Sequence, residues 1–129
     1  MEEKRIELRT YIFLDSLQLQ MASYLSTVSR GYFPVALQAC MIVEISPGIE
    51  INRFTDIALK ATDVTPGIQI VERLFGLLEV HSDSQADARQ AGAAILKELD
   101  RQEEERMKPR ILTSQLIKNI DDHHAQLIN

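Results

Sequence analysis

Residues 41–64 read MIVEISPGIEINRFTDIALKATDV, and this stretch indicates the fold most clearly. The apolar run over residues 35–45 predicts a buried strand, which Ser46-Pro47-Gly48 closes because proline and glycine together interrupt regular structure. A helix over about residues 49–62 should follow, since its apolar side chains recur at helical spacing. The side chains expected to be buried are Ile51, Phe54, Ile57 or Ala58, and Ala61.

The sequence downstream predicts a hairpin and a third helix. Strands are expected at residues 68–71 and 77–81, and the short link near Gly76 is typical of paired antiparallel strands. Residues 82–84 can then cap the N-terminus of a helix, because their side-chain oxygens accept hydrogen bonds from the first turn. This helix should stop at Pro109. Its apolar positions are Ala88, Ala91, Ile95 and Leu99.

The sequence upstream predicts a leading strand and a first helix. Residues 6–13 alternate, with Ile6, Leu8 and Ile12 on one face and Glu7, Arg9, Tyr11 and Phe13 on the other. Asp15 or Ser16 can cap a helix that ends at Gly31. Its apolar stripe is Leu17, Met21, Tyr24, Leu25 and Val28. The element order β-α-β-α-β-β-α predicts one α/β (α+β) domain over residues 1–108.

Composition sets limits on location and partners. With 129 residues, 45% of them hydrophobic and 26% charged, the chain is ordinary for one folded domain. Its net charge of −5 argues against binding to nucleic acid or to an anionic membrane, because both need a basic face. No apolar run approaches the roughly 20 residues that span a bilayer, and no signal peptide is expected, so we expect a cytoplasmic protein. Cys40 should be a buried small hydrophobe.

Little catalytic chemistry is visible in the sequence. It has no nucleophile elbow, no phosphate-binding glycine loop and no CxxC pair. His123 and His124 are adjacent and would point about 100° apart on a helix, so they cannot chelate one metal as an i, i+4 pair would. Five carboxylates have no spacing that brings them together, and solvated surface is expected for Asp56, Asp63, Glu72, Glu79 and Asp83. We therefore expect no enzyme, no cofactor and no metal site.

Two helices are rich in small residues. The second carries Ala58 and Ala61, and the third carries Ala86, Ala88, Ala91, Gly92, Ala93 and Ala94. Each buried alanine removes little apolar area from water, at about 25 cal/mol per Å². A small domain with so thin a core often gains stability by association with copies of itself, which predicts an oligomer.

Several segments resemble the shell domain of bacterial microcompartments. Residues 41–48 match its strand and Pro-Gly turn, and residues 56–64, DIALKATDV, are close to the family pattern DLALKAADV. The segment ERLFG at residues 72–76 is similar to the D-R-F-x-G turn of circularly permuted members. The leading strand and helix are similar to the leader of the permuted shell proteins of ethanolamine and propanediol utilisation. The resemblance covers about residues 37–99 well and implies a ferredoxin-like, circularly permuted shell domain.

The resemblance implies a structural role. Members of the family form cyclic hexamers that tile into a shell around metabolic enzymes, so the implied partners are copies of the chain, other shell proteins and encapsulated enzymes. It places Lys60 at the edge between hexamers. The implied pore turn consists of Glu72, Arg73, Leu74, Phe75 and Gly76, where the glutamate and the arginine would select metabolites by charge. In those relatives the leader strands form a barrel over the pore, so Tyr11 and Phe13 of the 1–16 leader are candidate plug residues.

Residues 109–129 are predicted to be a helical extension, and an isolated helix of about 15 residues needs a surface to lie against. Its apolar docking candidates are Leu116, Ile117, Ile120 and Leu127. They could dock on the chain's own hexamer, on an encapsulated enzyme or on a neighbouring shell subunit. For the whole chain, the alternative hypothesis is a ferredoxin-like regulatory module that binds a small molecule between subunits. A small enzyme ranks last.

Overall fold

The computed structural model describes residues 6–100, in which three α-helices and one short 3-10 helix pack around a four-stranded sheet. The elements in chain order are β1 (Glu7–Leu14), α1 (Leu19–Val28), β2 (Ala39–Ser46), a 3-10 turn (Gly48–Glu50), α2 (Ile51–Ala61), β3 (Thr65–Val71), β4 (Gly76–Ser82) and α3 (Gln85–Leu99). The predicted order of elements is confirmed for residues 6–100.

The sheet has the order β1-β2-β4-β3, and every neighbouring pair is antiparallel. The predicted hairpin is confirmed, because β3 pairs with β4 from Thr65 opposite His81 to Val71 opposite Gly76. Strands β2 and β4 are central, and a hydrophobic core lies on each face of the sheet beside them. This is why both strands read as nearly continuous apolar runs.

One face of the sheet carries α2 and α3. Phe54, Ile51 and Ile95 are fully buried there against Val43 and Val80 of the central strands. Burial of a side chain such as Phe54 contributes about 1.5–3 kcal/mol, so this face holds the main core. Helix α2 follows the predicted stretch closely, although Ala61 is exposed.

The opposite face carries only α1 and the segment over residues 29–38 that follows it. The second core is small: Leu17, Ala22, Leu25, Cys40 and Ile68. Helix α1 itself buries only two of these side chains. The prediction that Cys40 is buried is confirmed.

Two predicted boundaries are wrong in the first part of the chain, and one predicted apolar stripe is wrong in part. Helix α1 begins at Leu19 after Gln18, which makes no side-chain cap, so neither Asp15 nor Ser16 caps it. Strand β2 begins at Ala39 rather than at residue 35, because residues 35–38 form an irregular connection. The expected apolar stripe of α1 is also wrong in part, since three of its members are between 45% and 64% exposed: Met21, Tyr24 and Val28.

The leading strand is an edge strand of the subunit's own sheet. It pairs with β2 from Glu7 opposite Ser46 to Leu14 opposite Cys40. A shift of register between Leu8 and Thr10 breaks the simple alternation, so Leu8 and Tyr11 face the same core instead of opposite sides. The barrel of leader strands over the pore, which the resemblance implied, stays a prediction.

Helix α3 confirms its predicted cap and its predicted core side. The Ser84 side chain accepts a hydrogen bond from the Asp87 amide, 3.3 Å away. The helix ends at Leu99, earlier than the expected stop at Pro109, and Asp100 closes it in the left-handed conformation with φ 55°. The predicted extension over residues 109–129 lies outside the described residues, and the division into two parts stays a prediction.

Candidate functional site

The turn between β3 and β4 projects from one end of the sheet. The Glu72 amide donates to the Phe75 carbonyl at 3.0 Å, which closes the hairpin. The side chains of Glu72, Arg73 and Leu74 are exposed, Leu74 to 68%, while Gly76 is buried. The predicted pore-turn residues are therefore together at one tip, with one acidic and one basic side chain available to solvent.

The base of this turn is held by the turn that follows β2. A β-carbon at Gly48 would overlap the carbonyl oxygen of Glu72 and would come within 2.5 Å of the carbonyl oxygen of Phe75. A β-carbon at Gly76 would likewise come within 2.5 Å of the Gly48 carbonyl oxygen. Only residues without a side chain permit this approach, so the two turns form one rigid unit.

Arg9 ties the same end of the sheet together. Its guanidinium lies 5.1 Å from the centroid of the Phe75 ring and its Nε is 3.2 Å from Oε1 of Glu44. This contact joins β1, β2 and the pore turn. A half-exposed contact of this kind adds modestly to stability but fixes the orientation of the aromatic ring.

Lys60 lies in the last turn of α2, where it is well placed to contact a neighbouring molecule. Its side chain is 75% exposed, and Nζ is 2.9 Å from Oδ2 of Asp56 one turn earlier. Such an exposed i, i+4 pair contributes about 0.3–0.5 kcal/mol, so it has little effect on the fold. The pair leaves the ammonium group at the surface, which fits the implied edge role without testing it.

The candidate plug residues are held against α3. Tyr11 is buried, and its hydroxyl occupies the space where a side chain at Gly92 would lie. The Arg89 guanidinium stacks 4.1 Å from the centroid of the Phe13 ring. Together with Met41 and Ala93, these residues line an open cleft of about 410 Å³. Both aromatic side chains therefore contact the subunit's own third helix, and their role as plugs stays a prediction.

A buried polar cluster lies on the α1 side of β4, and the sequence pattern did not predict it. Glu79 and His81 are 0% and 2% exposed, with Nδ1 of the imidazole 2.9 Å from Oε1 of the carboxylate and 3.2 Å from Oε2. The Cys40 thiol donates to the same Oε1 at 3.3 Å. The expectation that Glu79 is a solvated surface residue is wrong, because it faces inward from a central strand.

This cluster is not a nucleophile–base pair. Burial, reinforced by the negative charge of Glu79 and by the hydrogen bond to it, raises the pKa of the Cys40 thiol well above its usual value. A thiol in that state is a weak nucleophile. The sequence did contain a signal for the pair, because two polar residues at positions i and i+2 of a buried strand share one face.

Helix α1 and the segment after it expose an unusual amount of apolar surface. Seven large side chains there are between 50% and 79% exposed: Leu19, Tyr24, Val28, Tyr32, Phe33, Val35 and Leu37. We call this surface the α1 face. The Ser26 hydroxyl donates to the Pro34 carbonyl at 3.2 Å, which keeps the segment alongside the helix. A patch of this size is typical of an interface rather than of a free surface.

Within residues 6–100, no group of three or more His, Cys, Asp or Glu side chains has the geometry to hold a metal ion. The same part of the chain contains no helix that is long and apolar enough to cross a membrane. The described residues therefore offer two surface features as candidate sites: a rigid turn at one end of the sheet and an apolar layer on one of its faces.

Comparison with known proteins gives the family. The sequence profile described as the CsoS1D N-terminal domain matches residues 8–105, so the chain belongs to this family of shell-protein domains. The chain is 55% identical over 124 residues to the carboxysome shell protein CcmP of Synechococcus elongatus, covering 96% of this chain and 58% of that protein. It is 44% identical over 124 residues to the carboxysome shell protein CsoS1D of Hydrogenovibrio crunogenus, covering 96% of this chain and 60% of that protein.

Solved structures give the same result. The fused permuted hexameric shell protein of the RMM microcompartment superimposes with a TM-score of 0.82 at 44% identity, covering 95% of this chain and 60% of that one. The double ringed trimeric shell protein of the same microcompartment superimposes with a TM-score of 0.79 at 40% identity. The match covers 97% of this chain and 60% of that one. The chain thus spans roughly 60% of the length of these relatives.

These likenesses confirm the permuted shell-domain fold and membership of a family of microcompartment shell proteins, which are structural rather than enzymatic. The four relatives are named for carboxysomes and for the RMM microcompartment. The closer likeness to the proteins of ethanolamine and propanediol utilisation stays a prediction.

Proposed function

We propose that the chain is a structural subunit of a bacterial microcompartment shell, located in the cytoplasm, and that six copies form a cyclic ring. The observation that carries this proposal is the family match over residues 8–105. A ring forms when one surface of a subunit binds a different surface of the next copy and the rotation closes. Other shell proteins and encapsulated enzymes are the further partners that we propose.

The number six is proposed from the count of domains in related rings. The chain's relatives are longer, and one of them is described as fused and hexameric while another is described as trimeric. A ring of six single domains and a ring of three fused pairs contain the same number of domains. Six copies of this chain would therefore build a ring with the same domain count.

The hairpin tip is proposed to line the opening of this ring. Glu72 and Arg73 are exposed there and carry opposite charges, and Leu74 extends from the same tip. Sixfold repetition would place six carboxylates and six guanidinium groups around the opening. A ring of like charges around a narrow opening selects ions of the opposite sign. Whichever of the two side chains points inward therefore sets the charge of the metabolites that pass.

The edges of neighbouring rings are proposed to meet at Lys60. Replacement of Lys60 by alanine should leave the ring intact and reduce the formation of extended sheets at least tenfold, because the side chain has little role within the subunit. Electron microscopy of the assembled material measures the sheets, and native mass spectrometry measures the ring. The Lys60→Arg variant, which keeps the charge, is the control.

Sheets formed as well by Lys60→Ala as by the unmodified chain would remove Lys60 from the edge. Absence of sheets in every variant, including the unmodified chain, would contradict tiling by this chain alone.

The segment over residues 109–129 is proposed as a docking element. Its four apolar candidates lie outside the described residues, and docking on the chain's own ring remains the simpler proposal. An encapsulated enzyme or a neighbouring shell subunit is the alternative partner, since an amphipathic helix binds well in an apolar groove.

A further inference from the structure

The hairpin tip and Lys60 lie at opposite ends of the subunit. Helix α2 begins directly after the 3-10 turn whose Gly48 packs against the tip, and Lys60 lies in the last turn of this helix. Strand β3 then returns from Thr65 to Val71 and leads back into the tip. In a ring with the tip at its opening and Lys60 at its outer edge, the strands therefore run outward from the axis, and the two edges of the sheet face the neighbouring copies.

The subunit has two different flanks at these edges. The sheet order β1-β2-β4-β3 makes β1 and β3 the edge strands, and within residues 6–100 no further strand pairs with either of them. On the face that carries the main core, α3 contacts β1 whereas α2 contacts β3. We call these surfaces the β1 flank (β1 and α3) and the β3 flank (β3 and α2). In a closed ring, the β1 flank of each copy meets the β3 flank of the next.

The β1 flank contains the open cleft of about 410 Å³ between β1 and α3. Two aromatic rings, a thioether, a methyl group and a guanidinium line it: Tyr11, Phe13, Met41, Ala93 and Arg89. The guanidinium is exposed and is held in the cleft by its stacking on the Phe13 ring. No ion pair among residues 6–100 includes Arg89. The cleft therefore offers apolar walls together with a cation that has no carboxylate partner in the described part of the chain.

The β3 flank carries an apolar side chain and a carboxylate. Gln69 of the edge strand donates to Oδ1 of Asn52 at 2.8 Å, which identifies the side of α2 that lies along this edge. Leu59 comes seven residues after Asn52, so it lies on the same side of the helix, and it is 39% exposed. Asp63 follows the end of α2 and is exposed. The ion pairs within residues 6–100 do not include it.

The charged groups of the two flanks match in position. Surfaces that touch in a closed ring lie at nearly equal distances from its axis. The Thr62 hydroxyl donates to the carboxylate of Asp87, so the end of α2 lies beside the start of α3, and the two helices run in opposite directions. Measured from this contact, Asp63 and Arg89 are offset by three residues, or about 4.5 Å along the helix axes. An extended arginine side chain spans that offset.

The apolar groups of the two flanks match in the same way. Leu59 precedes Asp63 by four residues on α2, and Ala93 follows Arg89 by four residues on α3. Because the two helices are antiparallel, both steps lead about 6 Å towards the axis. When the carboxylate of one copy meets the guanidinium of the next, the leucine is therefore level with the inner part of the cleft.

We propose that each copy of the chain inserts Leu59 into the cleft between β1 and α3 of the next copy and pairs its Asp63 with Arg89 there. This inference rests on the proposed ring and names the surfaces through which that ring closes. The leucine removes apolar surface from water on both copies. The ion pair fixes the register of the two flanks, since charged groups at an interface contribute orientation and specificity more than affinity.

Exchange of the two charges tests the pairing in the full chain. Arg89→Glu and Asp63→Lys should each raise the concentration at which half of the chain is in rings at least tenfold, because each sets like charges against one another in six contacts. The double variant should form rings as the unmodified chain does, since it restores opposite charges. Sedimentation and native mass spectrometry measure the rings. Lys60→Glu, which changes the net charge as Arg89→Glu does but lies at the proposed outer edge, should leave them intact.

The outcomes separate this contact from the ring itself. Rings that form equally well in both single variants would overturn the pairing and leave the ring in place, whereas a monomeric unmodified chain would overturn both. Loss of rings in both single variants without recovery in the double variant would also overturn the pairing. Thermal unfolding checks that each variant folds. If Arg89→Glu does not fold, Asp63→Lys decides, since its position is exposed: lost rings support the contact and intact rings overturn it.

Discussion

Replacement of Gly48 by alanine should destabilise the subunit by about 3 kcal/mol or more and lower its Tm by roughly 10 °C or more. A methyl group at this position would meet the backbone carbonyls of Glu72 and Phe75, and backbone atoms cannot rotate away as the end of a flexible side chain can. The pore turn would have to separate from the turn after β2. Thermal or urea unfolding of the purified chain measures the effect.

The neighbouring Ile49→Ala substitution is the control for this prediction. Ile49 is exposed on the same short 3-10 turn, so its truncation should change stability by less than about 0.5 kcal/mol. If Gly48→Ala unfolds at the same temperature as the unmodified chain, the two turns do not form one rigid unit and the pore tip is free to move.

Replacement of Tyr24 by glutamate should prevent two rings from binding face to face through their α1 faces. We propose this contact because residues 16–38 carry one charged residue, Arg30. A surface with so little charge can meet a second copy of itself without repulsion. A glutamate in its middle would be buried opposite uncharged side chains, which is costly.

The size of the α1 face supports the same contact. With roughly 100 Å² exposed for each of its seven side chains, the face offers about 700 Å², close to the 800 Å² or so that one partner contributes to a standard interface. Leu37 is the most exposed of them at 79%, and it is held at φ 74°, where a leucine is strained. The fold thus keeps an apolar side chain in solvent at some cost in free energy.

Native mass spectrometry tests the contact. The unmodified chain should contain twelve-copy particles, Tyr24→Glu should contain six-copy rings, and Tyr24→Phe, which keeps the apolar area, should retain the larger particles. Leu37→Asn should also give single rings, without loss of thermal stability, since asparagine tolerates the left-handed conformation. Twelve-copy particles in Tyr24→Glu would show that the α1 face does not join rings, and monomers would show that it lies within the ring.

The stretch over residues 39–61 could be predicted well from the sequence. Its strand is buried on both faces and its helix shows the 3.6-residue period clearly, so local pattern and tertiary packing agree. Ile51, Phe54 and Ala58 are buried as expected. The Pro-Gly turn between this strand and this helix was predicted equally well, because proline and glycine together interrupt regular structure.

The leading strand was harder to predict, because one irregularity reverses an alternating pattern. The shift of register at Leu8 and Thr10 moves Tyr11 to the core face. No residue type in that strand signals the shift, since neither glycine nor proline is present. The role of Tyr11 and Phe13 as plug residues, which the resemblance implied, stays a prediction.

The α1 face and the buried pair were missed for different physical reasons. A helical stripe of apolar residues has the same period whether it faces a core or another molecule, so Tyr24 and Val28 were assigned to the interior. Glu79 was assigned to solvent because charged residues are usually exposed, and burial of a charge depends on a partner that the sequence alone does not identify.

The mass of the full chain in solution is the decisive measurement for the proposed ring. We expect particles of six copies, or of twelve where rings are stacked, in native mass spectrometry and sedimentation at micromolar concentration, each copy contributing 14.7 kDa. A stable monomer or dimer throughout that range would contradict the proposal that this chain builds the ring of a microcompartment shell.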